Sequence, residues 1–349
     1  MKRTIKKCFG IALSVVGGVI GVGFASGREV VTFFSRFGFI SLLLCFIAGI
    51  AFFVLSYVIL INNQNNKNCK IINNLCKNDM KINETSKTDA FFNVFMFILQ
   101  LFISSAMFAG FNTLLSGLFK NRVLIFIIML FILIASYFVV LFKNKVIHLL
   151  NSLLTFLLVM MIFILVSCLF FKGKFEIADG EFHGISFVMP ILYAGMNIST
   201  VIPLIIEEGC FLKTKKEQIY VSLFIGIVLF VALFLICLTT LLFGGKYLGS
   251  DMIMTDMAFG VSFVFGVVYK LLVFTSIFTT LTTTIRGAVS CLPQINFKLM
   301  SFITLLISFA FCFIGFSYII DYVYPVLGFI CVIYLIFFTI KNAKIKQIY

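Results

Sequence analysis

The stretch Ser14–Val31, "SVVGGVIGVGFASGREVV", places Gly17, Gly18, Gly21, Gly23 and Gly27 inside a segment apolar enough to cross a bilayer. Each glycine costs a helix interior about 1 kcal/mol relative to alanine. An unsatisfied backbone group in hydrocarbon costs several times that, so most membrane helices hold regardless. Two readings compete. The spacings Gly17-x3-Gly21 and Gly23-x3-Gly27 fit close helix packing through small residues. Packing, however, asks for one stripe, and these glycines point around most of the helix. Arg28 and Glu29 follow at once, where a lipid-facing span carries no charge. The sequence therefore favours an unwound segment that lines a polar site. The half-helix ending near Ile20 would bare carbonyls suited to a cation. The half-helix beginning near Phe24 would bare N–H groups suited to a carboxylate.

Outward from this stretch the whole chain reads as membrane. Its 349 residues are 62% hydrophobic and 11% charged, with mean hydropathy +1.18. A spanning helix takes roughly 20 apolar residues, and ten segments qualify: 8–34, 37–61, 90–118, 122–142, 146–171, 184–208, 218–243, 257–288, 299–318 and 322–340. The expected fold is all-α and polytopic, one transmembrane domain over 1–349. The net charge of +14 invites a nucleic-acid reading, but the cations follow topology instead. With a cytoplasmic N-terminus, the loops and ends on the inner side hold nineteen of the 27 lysines and arginines, and the outer side holds seven. That is the positive-inside rule. It puts both termini in the cytoplasm of a cell-membrane protein whose partners are lipid and a small solute, with a homo-oligomer left open. The ten cysteines have no metal-ligand spacing and read as reduced. Residues 62–88 are an Asn/Lys-rich cytoplasmic loop.

The two halves correspond. Span 6, "GISFVMPILYAGMNISTVIPLIIEEG", carries Gly195, Asn197, Ser199 and Thr200 together with Pro190 and Pro203. Breaker-rich spans at matching places in two five-span halves, 8–171 and 184–340, indicate an inverted repeat with helices 1 and 6 both broken, a pointer to a transporter's midplane site. Gly21, Gly23, Phe24, Ala25 and Ser26 would then face Gly195, Met196, Asn197 and Ser199, with Ser104 and Ser105 of span 3 nearby, around an amino-acid-like solute.

Span 8 contains "SIFTTLTTTIRG", in which Thr279, Thr282 and Thr283 share a face. These hydroxyls either bond their own helix carbonyls or join the carbonyls of Gly17 and Ile20 around a small cation. Glu29 is read as a proton carrier, a partner of Arg28 or Arg36, or an interfacial residue. Lys270 falls near mid-membrane, paired or snorkelling. Glu207 closes span 6 at the inner face, as a gate partner or simply solvated. No enzyme constellation is present: His148 and His183 stand at opposite ends of span 5, and "GFASG" lacks the pattern of a serine intramembrane protease.

The run "GGVIGVGFASGREVVTFF" resembles the opening of the YkvI-type bacterial membrane proteins, and the ten-span order resembles the amino acid–polyamine–organocation superfamily. That resemblance implies a LeuT-type five-plus-five fold. It also implies a sodium site formed by the carbonyls of Gly17 and Ile20 with Thr279, Thr282 and Thr283, because span 5 lacks the interior lysine found there in some proton-coupled members. The expected function is a secondary transporter, coupled to Na⁺ in preference to H⁺ and without another cofactor. The alternative is a non-transporting solute receptor on the same scaffold.

Overall fold

The computed structural model describes residues 2–65, 87–142, 144–173, 175, 180, 184–292 and 296–348. Most of the loop at 62–88, the Cys69 and Cys76 pair and His183 lie outside the described residues. The described chain is helical: α1 Lys2–Val19, α2 Val22–Ser26, α3 Arg28–Phe33, α4 Ser41–Asn65, α5 Lys87–Ser116, α6 Arg122–Leu141, α7 Asn144–Lys172, α8 Met189–Gly209, α9 Lys215–Phe243, α10 Ile253–Val261, α11 Phe263–Ser290, α12 Phe297–Phe311, α13 Phe316–Tyr318 and α14 Tyr324–Ile348. A 3₁₀ segment, Ser35–Ile40, leads into α4, and a π-turn, Ile319–Val323, joins α13 to α14.

Among the described residues, nine helices are long and apolar enough to cross a membrane. The first span, α1 to α3, is not among them because it is cut into pieces. Polar side chains start several spans at the expected places. Asn121 accepts from the amides of Val123 and Leu124, Thr214 from Glu217 and Ser262 from Phe265, satisfying N–H groups that a helix start leaves free.

The broken span and span 6 form the middle of the bundle. The most apolar window of α8 is 83% buried, against 28% for α7 and 33% for α6, whose outer faces meet lipid. The glycines let the neighbours of α1 close in from different sides. A Cβ on Gly17 would sit 2.8 Å from the Asn151 carbonyl of α7. One on Gly18 would sit 3.0 Å from Val201 and Leu204 of α8, and one on Gly21 2.7 Å from Met107 of α5. The span is therefore broken, and it is also tightly packed all round.

Three expectations are corrected here. First, α8 is continuous from Met189 to Gly209, so of the two matching spans only the first is broken. The breakers of span 6 are absorbed locally. The Asn197 side-chain amide donates to the Tyr193 carbonyl, and the Thr200 hydroxyl to the Asn197 carbonyl, both within the helix. Pro203 lacks the N–H that would reach the preceding turn. Near that defect the Gln100 side chain of α5 donates to the Thr200 carbonyl at 2.5 Å. Second, the segment 257–288 is two helices parted at Ser262, whose φ and ψ of −161° and 156° are extended. Third, span 9 ends before Gly315, whose φ of +105° suits glycine, so Phe316–Tyr318 opens span 10.

Candidate functional site

The break in span 1 follows from backbone accounting. The Ile20 amide still reaches the Val16 carbonyl at 2.9 Å, but the Gly21 amide turns back to Val19 at 2.8 Å. Gly21 itself is extended, with φ −93° and ψ −163°, and α2 restarts at Val22. The usual acceptor of the Gly21 amide, the Gly17 carbonyl, is thereby released. Ile20 O belongs to the same gap. Buried carbonyls need partners, and span 8 supplies them. Ser276 Oγ donates to Ile20 O at 2.6 Å, while Thr280 Oγ1 lies 3.3 Å from Ile20 O and 3.5 Å from Gly17 O. Below Gly27, whose φ of +83° ends α2, Tyr269 donates its hydroxyl to Ala25 O at 2.9 Å. Tyr269, Ser276 and Thr280 fall at i, i+7 and i+11, one face of α11 turned to the broken span.

This corrects the threonine register. Thr282 and Thr283 do not meet the carbonyls of Gly17 and Ile20. Both bond Thr279 O of their own helix, at 2.9 and 2.8 Å, and Thr283 also accepts from Asn151 of α7. Thr279 bonds Ser276 O. The residues missed are Ser276 and Thr280. Spacing within one helix offers several faces, and nothing local in the sequence says which one meets span 1.

The other expected site residues divide. Gly21, Gly23, Phe24, Ala25 and Ser26 are gathered at the break and buried, with the Ser26 hydroxyl donating to Gly23 O. Met196 and Asn197 are buried in α8. Gly195 and Ser199 do not face span 1. A Cβ on Gly195 would sit 2.6 Å from Val332 of α14, and Ser199 neighbours Cys331 there, so this face is a packed contact with span 10. Ser104 points to α12, its hydroxyl 2.6 Å from that of Ser308, and Ser105 bonds Leu101 O. Lys270 lies two turns into α11. Its ammonium is 3.4 Å from the Cβ position of Gly117, at the carbonyl end of α5, where a cation suits the helix dipole. Glu207 acts electrostatically on Arg286, which donates to Val140 O and Phe142 O at the end of α6.

Glu29 is 4% exposed, and among the described residues neither Arg28 nor Arg36 pairs with it. Its carboxylate lies against Gly23, where any Cβ would overlap it, and accepts from the hydroxyl of Tyr193 in α8 at 3.1 Å. Rings of Phe33, Phe34 and Phe52 hold Tyr193, with centroids 5.1 to 6.0 Å away. Arg28 instead pairs with Asp321 in the π-turn of span 10, and Thr32 donates to the same carboxylate at 2.7 Å. Asp321 lies between the segments 299–318 and 322–340 read from the sequence, and the structure draws it into span 10 as the counter-charge of Arg28.

Comparison with protein-family models gave no match, and neither did comparison with curated proteins. Among solved structures, the chain is similar to Mhp1 in an inward-facing conformation, with a TM-score of 0.56 and 14% identity over 93% of this chain and 73% of that one. It is similar too to Mhp1 described as a nucleobase-cation-symport-1 family transporter in a closed conformation with bromovinylhydantoin bound, with a TM-score of 0.55 and 14% identity over 93% and 77%. The chain therefore has the LeuT-type polytopic membrane fold that Mhp1 has.

Proposed function

We propose that this protein is a secondary transporter that moves a small amino-acid-like solute by alternating access, with Na⁺ as the coupling ion. The observation that carries the reading is the pair of released carbonyls, Gly17 O and Ile20 O, facing the hydroxyls of Ser276 and Thr280 across the break. Four hard oxygens from two helices are the donor set a small monovalent cation takes. A cation there would tie the broken span to span 8, and its departure would free them to part. Ligand binding can shift such an equilibrium only through contacts that differ between the two states, and these oxygens come from two different helices. The similarity to Mhp1, a transporter by its description, supports the same class.

The test is uptake by purified protein in proteoliposomes, with and without an inward Na⁺ gradient, for a panel of radiolabelled amino acids and amines. Accumulation that needs the gradient is the expected result. Thr280→Ala and Ser276→Ala each remove one ligand, and each is expected to raise the Na⁺ concentration for half-maximal uptake about tenfold, the effect of roughly 1.4 kcal/mol. Thr282→Ala, whose hydroxyl is spent within its own helix, is expected to leave the Na⁺ dependence unchanged. Equal Na⁺ dependence in all three variants would remove the cation site. Saturable binding without accumulation would favour a receptor instead.

A further inference from the structure

The broken span brings a carboxylate of its own to the place where it meets span 6. Glu29 is 96% enclosed by the protein, lies on the bare backbone of Gly23, and takes one hydrogen bond, from Tyr193. The groups around it are known from each side. Tyr193 reaches it from α8, and Tyr324 of span 10 is close enough to feel its charge. On its own helix the adjacent Arg28 is committed to Asp321, and Arg36, in the 3₁₀ segment that follows, lies over the Phe37 ring. Among the described residues no cation stands within ion-pair distance of Glu29. An enclosed carboxylate with one neutral donor is costly, and either a proton or a positively charged partner relieves that cost. The Tyr193 ring that reaches Glu29, with Phe33, Phe34 and Phe52 packed on it, offers what an organic cation prefers over a hydrated metal ion, namely aromatic and apolar surface. The nearby Arg28 guanidinium, which could hold a solute carboxylate, is already engaged with Asp321. A second carboxylate brought beside Glu29 would be repelled.

The geometry points to a solute that is an organic ammonium without a carboxylate, its cationic nitrogen bound between Glu29 and Tyr193 where span 1 meets span 6. This rests on the transporter reading and replaces its amino-acid-like solute with an amine. It also assigns Gly23 a part, since its missing Cβ is what admits the carboxylate to the break.

The experiment compares ligands that differ only in charge. Isoamylamine, isoamyl alcohol and leucine share one branched carbon chain; putrescine and choline extend the amine series. Binding to detergent-purified full-length protein is measured by calorimetry, alongside thermal stabilisation. At least one of the three amines is expected to bind ten times or more tighter than both isoamyl alcohol and leucine. Glu29→Gln is expected to abolish that preference, and Tyr193→Phe to weaken amine binding about threefold. Because Glu29→Gln alters a buried group, Glu29→Asp serves as the second variant, keeping the charge and the selectivity with reduced affinity. Gly10→Ala, remote from the site, is the folding control. Amine selectivity that survives in Glu29→Gln, alcohol or leucine binding as tight as the amines, or no amine binding to the wild type would each overturn the inference. If leucine were accumulated in proteoliposomes while no amine bound, the amine assignment would fall and the transporter reading would stand.

Discussion

Gly17→Ala is expected to destabilise the protein by about 3 kcal/mol, the upper range for forcing an extra methyl into a filled core. Gly10→Ala on the same helix is expected to be neutral or to gain up to about 1 kcal/mol of helix propensity. The contrast comes from what each methyl meets. At Gly17 it lies 2.5 Å from Thr155 Oγ1 and 2.8 Å from the backbone oxygen of Asn151. The threonine already donates to that same oxygen at 2.6 Å, so neither atom can retreat without breaking a buried bond. At Gly10 nothing lies within 4 Å. Reversible unfolding in mixed micelles, with both variants scored against wild type, measures the difference. Equal stabilities would mean that α1 and α7 do not approach as closely as described, and the released Gly17 carbonyl would lose its setting.

The second large effect concerns Arg28 and Asp321. Arg28→Gln and Asp321→Asn are each expected to cost about 2 kcal/mol, between the small worth of an exposed ion pair and the 3–5 kcal/mol lost on breaking a buried one. The side chains are 16% and 28% exposed, which places the pair between those limits. The double variant should cost clearly less than the sum, because neither partner is then left as an uncompensated charge. A double-mutant cycle on unfolding free energies reads the coupling directly. Additive losses would show that each residue acts through other contacts. Thr32, which also donates to Asp321, should soften the loss in Arg28→Gln and is the natural third corner to vary.

The sequence made the membrane fold and the break at Ile20–Gly21 legible, because glycine density and hydropathy are local properties. It failed where neighbours decide. The small and polar residues of span 6 looked like a second break, yet the backbone stays helical from Met189 to Gly209, with Gln100 donating to Thr200 O near Pro203 and Val332 packed at Gly195. The hydroxyls of span 8 are so dense that periodicity alone could not separate Thr282 and Thr283 from Ser276 and Thr280. Choosing among them takes the rotation of α11 about its axis, which long-range packing sets. The contact between Glu29 and Tyr193 joins residues 164 positions apart. No local pattern announces it, although a lone acid inside a span was the right place to look.

The first span is also fastened at both extremities, and unequally. Near its start Lys7 holds the Phe211 carbonyl at 2.6 Å and stands 3.8 Å from Glu217, with side chains 39% and 13% exposed to water. A wet, stretched pair of that kind contributes at most about 1 kcal/mol. The Arg28 clasp at the other extremity is drier and braced by Thr32. A gap of about 1.4 kcal/mol between two latches makes the weaker one spring roughly ten times as often. Of the two fastenings, the one at Lys7 is therefore expected to loosen first.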